Sequence, residues 1–241
     1  MSVFEKLRRF KSYSCGAVIV AAGSGTRMGG VDKLMADLGG KPVLAHTLLA
    51  FQQARSIDEI VLVVREDQME EIRLMTLRLG LSKLKTMVPG GATRMESVQN
   101  GLKALSGKCK YVAVQDGARP LVTVDLIQRV MEKAGKYQAV APGIPVKDTI
   151  KQVDDSGLVV ATPDRDTLRA VQTPQVFQKE LLKAAWKKAK KEKQVYTDDC
   201  AAMEAMGVPV YLVEGDEENL KITTPQDLTL AAAILAGRDP V

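Results

Sequence analysis

Aromatic side chains make up only 4% of the 241 residues, too few for a platform on which nucleic-acid bases stack. There is a single histidine, His46, and a lone helical histidine reads as structural more readily than as catalytic. The cysteines number three. Cys15, Cys109 and Cys200 lie far apart, which speaks against a disulfide framework or a structural zinc and for a reducing compartment. No apolar run is long enough to span a bilayer, and residues 1–14 are basic without the apolar core of a secretory signal. The expectation is a cytoplasmic protein with no membrane partner. Internal repeats, low-complexity segments and flexible linkers are missing too. So is any Walker string G-x-x-x-x-G-K-[ST], while the dinucleotide fingerprint fails because Met28 stands where its third glycine belongs, with Gly29 one place late.

What is present is apolar content, 46%, enough for the core of one large α/β domain or a domain with an appendage. The net charge is +5, with a pI near 9.0, but the excess is concentrated in the first eleven residues and in Lys187–Lys193. Such runs read as a loose tail and a solvated helix face, not as a nucleic-acid site.

The most informative stretch is AVIVAAGSGTRMGGVDK, residues 17–33. Ala17–Ala22 has the length and continuous apolarity of a strand buried on both faces. Gly23 and Gly25 then let the backbone turn tightly and approach a ligand, and Arg27 and Lys33 bring two cations to the mouth of the turn. Bare amides, small residues and fixed positive charge suit a polyphosphate. The reading is a nucleoside-triphosphate site at the end of the first strand.

Along the chain, Pro42 suits a first helical position ahead of Leu44, Leu48 and Phe51. Glu59–Val64 reads as a second buried strand, and Met69–Leu79 as a helix stopped by Gly80. Leu84–Val88 is a short strand running into Pro89-Gly90-Gly91. Thr93 and Glu96 form a capping-box pair that opens the next helix. This second glycine turn, with Arg94 and Ser97 as polar contacts, is expected to line the same crevice as the first, because ligands of open α/β sheets sit outside the carboxyl ends of the strands. Tyr111–Gln115 is a further strand, ending in Asp116-Gly117-Ala118-Arg119-Pro120, a rigid turn that suits a metal contact paired with a phosphate contact. Thr123 caps the helix that follows.

After a strand from Gln138 to Pro145 the rhythm changes. Thr149–Val153 and Leu158–Thr162 flank a polar turn and read as a β-hairpin with little core of its own. A partner subunit is a good candidate to cover it. A basic helix carrying Trp186, a helix capped by Asp198, a last strand over Val208–Val213 and a helix starting at Thr224-Pro225 complete the chain.

Taken together, AAGSGTRMG, DK, GGATRMESV, DGARP, PVKDT, DR, QTPQVF, TDD and NLKITTPQDL resemble, in order and spacing, the 2-C-methyl-D-erythritol 4-phosphate cytidylyltransferases of the non-mevalonate isoprenoid pathway. The resemblance runs from about Gly16 to Ala236. It implies a Rossmann-like nucleotidyltransferase fold, a mostly parallel twisted sheet flanked by helices. From this sheet protrudes a β-arm, about 146–172, that makes a homodimer. It also implies transfer of CMP from CTP to methylerythritol phosphate with Mg²⁺.

By motif position, Arg27, Lys33 and Lys221 would act on the triphosphate and the transition state. Ala21, Ala22, Gly23 and Gly25 would line the nucleotide, and Gly90, Gly91 and Ser97 would read the cytosine. Asp116 would lie near Mg²⁺ and the ribose or substrate, with Arg119 supporting it. Thr149 and Arg165 would hold the polyol phosphate, Arg165 reaching in from the other subunit. One departure is visible: Asp32 precedes Lys33 where the family usually has proline, and this carboxylate could pair with Lys33 or face solvent. The rival readings are ribitol 5-phosphate cytidylyltransferase, a sugar-phosphate uridylyltransferase and a catalytically dead nucleotide-binding module.

Overall fold

The computed structural model describes residues 14–23 and 32–238. Its first half alternates strand and helix. Strand β1 (Ser14–Ala21) is followed by the short ladder of β2 (Asp37–Leu38) and β3 (Lys41–Pro42), then by helix α1 (Val43–Gln53), strand β4 (Glu59–Val64), helix α2 (Met69–Leu79), strand β5 (Leu84–Pro89), helix α3 (Arg94–Ala104) and strand β6 (Cys109–Asp116). The second half holds α4 (Val124–Ala134), β7 (Ala139–Pro145), β8 (Gln152–Val153), β9 (Val159–Ala161), β10 (Arg169–Val171), β11 (Gln175–Gln178), α5 (Lys179–Glu192), α6 (Asp199–Glu204), β12 (Tyr211–Glu214) and α7 (Pro225–Ala236).

From Cys15 onward strand β1 carries no polar side chain because both of its faces are covered. Cys15, Ala17, Ile19 and Ala21 point into the core beneath α1, α2, α4 and α7, while Val18 and Val20 meet the core beneath α3, α5 and α6. This period-2 division of one continuous apolar run is the mark of a central strand in a doubly covered sheet. Leu44, Leu48 and Phe51 of α1 are fully buried on the first face, each contributing about 1.5–3 kcal/mol by leaving water.

Among the described residues the main sheet has eight strands. β4, β1 and β6 run parallel side by side, with β5 parallel beyond β4. β11 is antiparallel to both β6 and β7. β10 continues along the same side of β7 as β11, and β12 pairs in parallel on the opposite side. From β1 the chain builds outward through β4 and β5, then α3 carries it back to place β6 on the other flank of β1. That reversal leaves a crevice at the carboxyl ends of β1 and β6.

Residues between β7 and β10 leave the sheet. The β8–β9 hairpin stands almost wholly exposed, with Leu158 at 66% and Val160 at 54% of full exposure. Its tip is locally built: Asp154 Oδ1 accepts from Ser156 N at 2.9 Å and Leu158 N at 3.0 Å, and Gly157 takes φ +87°. The return leg, β10, is hydrogen-bonded into the main sheet. Among the described residues no helix is long and apolar enough to cross a membrane. The basic run of α5 is a solvated face, with Lys187, Lys188, Lys190 and Lys191 exposed and Trp186 buried behind them.

Several boundaries differ from the sequence reading; the hairpin strands are shorter than Thr149–Val153 and Leu158–Thr162, and two others bear on the helix and strand starts. Pro42 is the residue before α1, not its first turn. The last strand starts at Tyr211, not Val208, because Pro209 has no N–H to give a ladder.

Candidate active site

Three turns converge at the carboxyl end of the sheet. The turn after β6 is fastened to β1 by Gly117 N donating to Val20 O at 2.8 Å, and Thr47 Oγ1 of α1 lies 3.0 Å from the carbonyl oxygens of both Gly117 and Arg119. The turn after β5 is fastened to β4 by Gly90 N donating to Val64 O at 2.8 Å. It also lies against the turn after β1: a Cβ on Gly90 would stand 2.3 Å from the Cβ of Ala22. Only glycine permits that approach. Gly91 N donates to Ser97 Oγ at 3.1 Å, and that hydroxyl donates to Thr93 O at 3.0 Å. The capping box closes the same corner, with Glu96 N bonded to Thr93 Oγ1 at 3.1 Å and Thr93 N to Glu96 Oε2 at 3.3 Å. The two glycine turns therefore share one crevice, as their positions predict.

That crevice is a cleft of about 340 Å³, lined by Ala21, Ala22 and Gly23, by Lys33, by Gly91 through Arg94 with Ser97, and by Asp116 and Lys221. Ala22, Gly90 and Gly91 border a shallower depression beside it, with Arg65 and Asp67 on its far side. Gly25 and Arg27 fall outside the described residues, as does most of the basic N-terminal tail. Among the described lining residues of the cleft, three cations (Lys33, Arg94 and Lys221) face one carboxylate, Asp116.

Asp116 is the electrostatic centre. Lys221 Nζ stands 2.8 Å from its Oδ2, and Arg94 and Arg119 each approach to 3.8 Å. Burial pushes the carboxyl up, but the attraction of Lys221, then Arg94, then Arg119 outweighs it and holds Asp116 below the ordinary carboxylate range. Its main-chain N–H is bonded to Thr173 Oγ1 at 3.1 Å. Arg119 is 9% exposed and donates through NH1 to Asn219 O at 2.5 Å. Within its own chain, it props Asp116 and the segment carrying Lys221 from behind; burial lowers its pKa, and the Asp116 carboxylate opposes that.

Lys221 reaches the cleft because its segment is tied down on both sides. Asn219 Nδ2 donates to Thr173 O at 3.0 Å, and Ile222 N to Ala118 O at 2.8 Å. Gln172 extends the tie by donating to Asp216 O at 2.8 Å. Asp32 accepts from Leu34 N at 3.0 Å and from Gln68 Nε2. Its carboxylate thus closes the turn carrying Lys33 and does not merely face solvent. His46 Nε2 lies 2.7 Å from Leu38 O, a structural contact as expected. Thr149 and Arg165 are exposed on the arm, where Arg165 NH1 donates to Lys147 O at 3.2 Å; neither lines the cleft of its own chain.

The residue that sequence reasoning passed over is Asp199, fully buried at the start of α6, with Oδ2 2.7 Å from Arg94 NH1. The TDD segment helped carry the family resemblance, but a role was read there only for Asp198, as a cap, which it is, accepting from Ala201 N at 2.9 Å. The pairing of Arg94 with Asp199 joins α3 to α6, far apart in sequence, and no local pattern announces it.

Among the described residues no cluster of three or more His, Cys, Asp or Glu side chains could hold a metal alone. A magnesium ion bound through one carboxylate and the oxygens of a polyphosphate needs no such cluster. Asp116, the cleft's single described carboxylate, fits that arrangement.

A switch-point crevice with glycine turns and an excess of cations defines an α/β nucleotide-binding protein built to receive a polyphosphate. The family model for 2-C-methyl-D-erythritol 4-phosphate cytidylyltransferase matches residues 15–237, and the chain belongs to that family. It is 48% identical to the enzyme of that name from Desulforamulus reducens, over 92% of this chain and 96% of the relative. It is 45% identical to the one from Caldanaerobacter subterraneus subsp. tengcongensis, over 91% and 97%. The crystal structure of 4-diphosphocytidyl-2C-methyl-D-erythritol synthase from Anaerococcus prevotii superposes with a TM-score of 0.84 at 35% identity, covering 93% of this chain and 99% of that one.

Proposed function

We propose that this chain transfers CMP from CTP to 2-C-methyl-D-erythritol 4-phosphate, giving 4-diphosphocytidyl-2-C-methyl-D-erythritol and pyrophosphate. Family membership carries the reading, and the chemistry of the cleft supports it. An oxygen of the acceptor phosphate attacks the α-phosphorus of CTP, a P–O bond forms, and the bond to the β-phosphate bridging oxygen breaks to release pyrophosphate. The acceptor phosphate is already anionic, so no general base is required. The protein must align two anions and neutralise charge.

Lys33 and Lys221 line the cleft and serve that purpose, joined by Arg27 in the same glycine loop. Ala21, Ala22, Gly23 and Gly25 accommodate the nucleotide, while Gly90, Gly91 and Ser97 present main-chain and hydroxyl groups to the base. Magnesium, held by Asp116 and the triphosphate oxygens, would supply charge neutralisation at the phosphates. Thr149 and Arg165 sit on an arm whose exposed apolar side chains, Leu158 and Val160 among them, call for a covering surface. A second copy of the chain, taking up the arm and receiving Arg165 beside its own cleft, supplies it. Residues 1–241 are read as one catalytic domain with this arm. The three cysteines are free and buried, which agrees with a cytoplasmic location.

The test is pyrophosphate release over a panel of nucleoside triphosphates and polyol phosphates, with and without EDTA. CTP with methylerythritol phosphate and Mg²⁺ should dominate. Equal turnover with UTP or ATP, or a preference for ribitol 5-phosphate, overturns the assignment.

A further inference from the structure

Arg94 is the first residue of α3, where a cation opposes the helix macrodipole. Only 30% of its side chain is exposed, so it is also largely desolvated. Its partner Asp199 has no exposure at all. Pairing two buried charges rarely stabilises a fold more than apolar residues of the same volume. The pair is nonetheless held by two other elements. The indole Nε1 of Trp186 in α5 donates to Asp199 Oδ1 at 2.9 Å. Gln175 of β11 accepts from Asp199 N at 3.2 Å and donates to Asp198 Oδ2 at 2.8 Å. The far side of the guanidinium faces the cleft and stands 3.8 Å from Asp116 Oδ1. Burial pushes the Asp199 carboxyl up and Arg94 offsets part of that rise.

We propose that Asp199 is a positioning residue for nucleotidyl transfer: anchored by Trp186 and Gln175, it fixes the Arg94 guanidinium at the cleft wall as a further phosphate-facing cation beside Asp116. The inference rests on the cytidylyltransferase reading above. Without Asp199, Arg94 keeps its charge but loses the carboxylate that holds it at 2.7 Å from the side away from the cleft, and a mobile cation aligns phosphates poorly.

The test is a kinetic cycle. Wild-type turnover is measured first; then Asp199→Asn, which keeps the side chain's size and an acceptor for the indole, is placed in the wild-type and Arg94→Ala backgrounds. Asp199→Asn is expected to cut kcat about 10- to 100-fold, the range for a lost hydrogen bond to a charged group. In the Arg94→Ala background it should change kcat by less than about twofold. A merely structural role gives effects that multiply, and that result overturns the proposal, as does an unimpaired Asp199→Asn enzyme. If Asp199→Asn does not fold, Trp186→Phe takes its place, with a loss of about 2- to 5-fold that must likewise vanish beside Arg94→Ala. An active wild type with additive variants refutes this inference alone, whereas a wild type that makes no product refutes the underlying reading as well.

Discussion

Lys221 Nζ and Asp116 Oδ2 stand 2.8 Å apart, so one of the proposed triphosphate cations is engaged by the carboxylate proposed to meet the metal. The Lys221 side chain is 38% exposed and that of Asp116 12%, which leaves the lysine accessible to a ligand while the carboxylate stays put. On the proposed reading, Asp116 would hold magnesium when the nucleotide is bound, and Lys221 would turn its ammonium to a phosphate. The pair thereby keeps both groups oriented before substrate arrives.

Removing Lys221 should therefore affect the chemical step more than the fold. Lys221→Ala is expected to lower kcat by on the order of 10²–10³, with a loss of stability of roughly 1 kcal/mol or less, as for other half-exposed ion pairs. Steady-state kinetics with urea unfolding separates the two. A near-normal kcat with only a raised KM for CTP would mean that Lys221 binds ground and transition states alike.

Asp116 makes a prediction about pH. Its folded pKa lies below the ordinary value of 3.8, so near that pH the unfolded chain binds more protons than the native one, and stability rises with pH. The contribution is fully present above about pH 5, starts to fall as the unfolded chain begins to protonate, and is lost as pH falls through the folded pKa. Asp116→Asn should cost roughly 1–3 kcal/mol at pH 7, because Lys221, Arg94 and Arg119 lose their counter-charge. The gap between mutant and wild type should narrow steadily below pH 4. Unfolding curves at pH 7, 5, 4 and 3 check this; a gap that is constant with pH would show that the carboxylate charge is not what stabilises the cluster.

These groups were unequally legible in the sequence. Thr93 with Glu96 and Asp116 with Arg119 are three residues apart, so local geometry alone brings them together. The crevice followed from the strand-end rule, which needs only the order of strands and helices. Asp199 beside Arg94, Thr173 beside Asp116 and Asn219 beside Arg119 are contacts between distant segments. They depend on β11 entering the sheet antiparallel between β6 and β7, which no periodicity in Gln175–Gln178 betrays. Arg119, read as a support for the site around Asp116, lies nine-tenths buried behind that carboxylate, a depth that its place in the DGARP turn does not announce.

The arm yields a complementation test. Arg165→Ala and Lys33→Ala should each be nearly inactive alone. Unfolded and refolded together in equal amounts, they should form about half mixed dimers, each with one site that has Lys33 from its own chain and Arg165 from its neighbour. Roughly a quarter of wild-type pyrophosphate release should return. No recovery, with mixed dimers confirmed by mass, would place Arg165 in its own chain's site or outside catalysis.

The central claim is that the acceptor phosphate itself attacks CTP, and isotope tracing tests it most directly. Methylerythritol phosphate carrying ¹⁸O in the non-bridging phosphate oxygens is incubated with CTP and Mg²⁺, and the products are weighed by mass spectrometry. The account predicts a cytidine diphosphate conjugate that retains every ¹⁸O atom and a pyrophosphate that carries none. Label in the pyrophosphate, or free CMP with no conjugate, would contradict it.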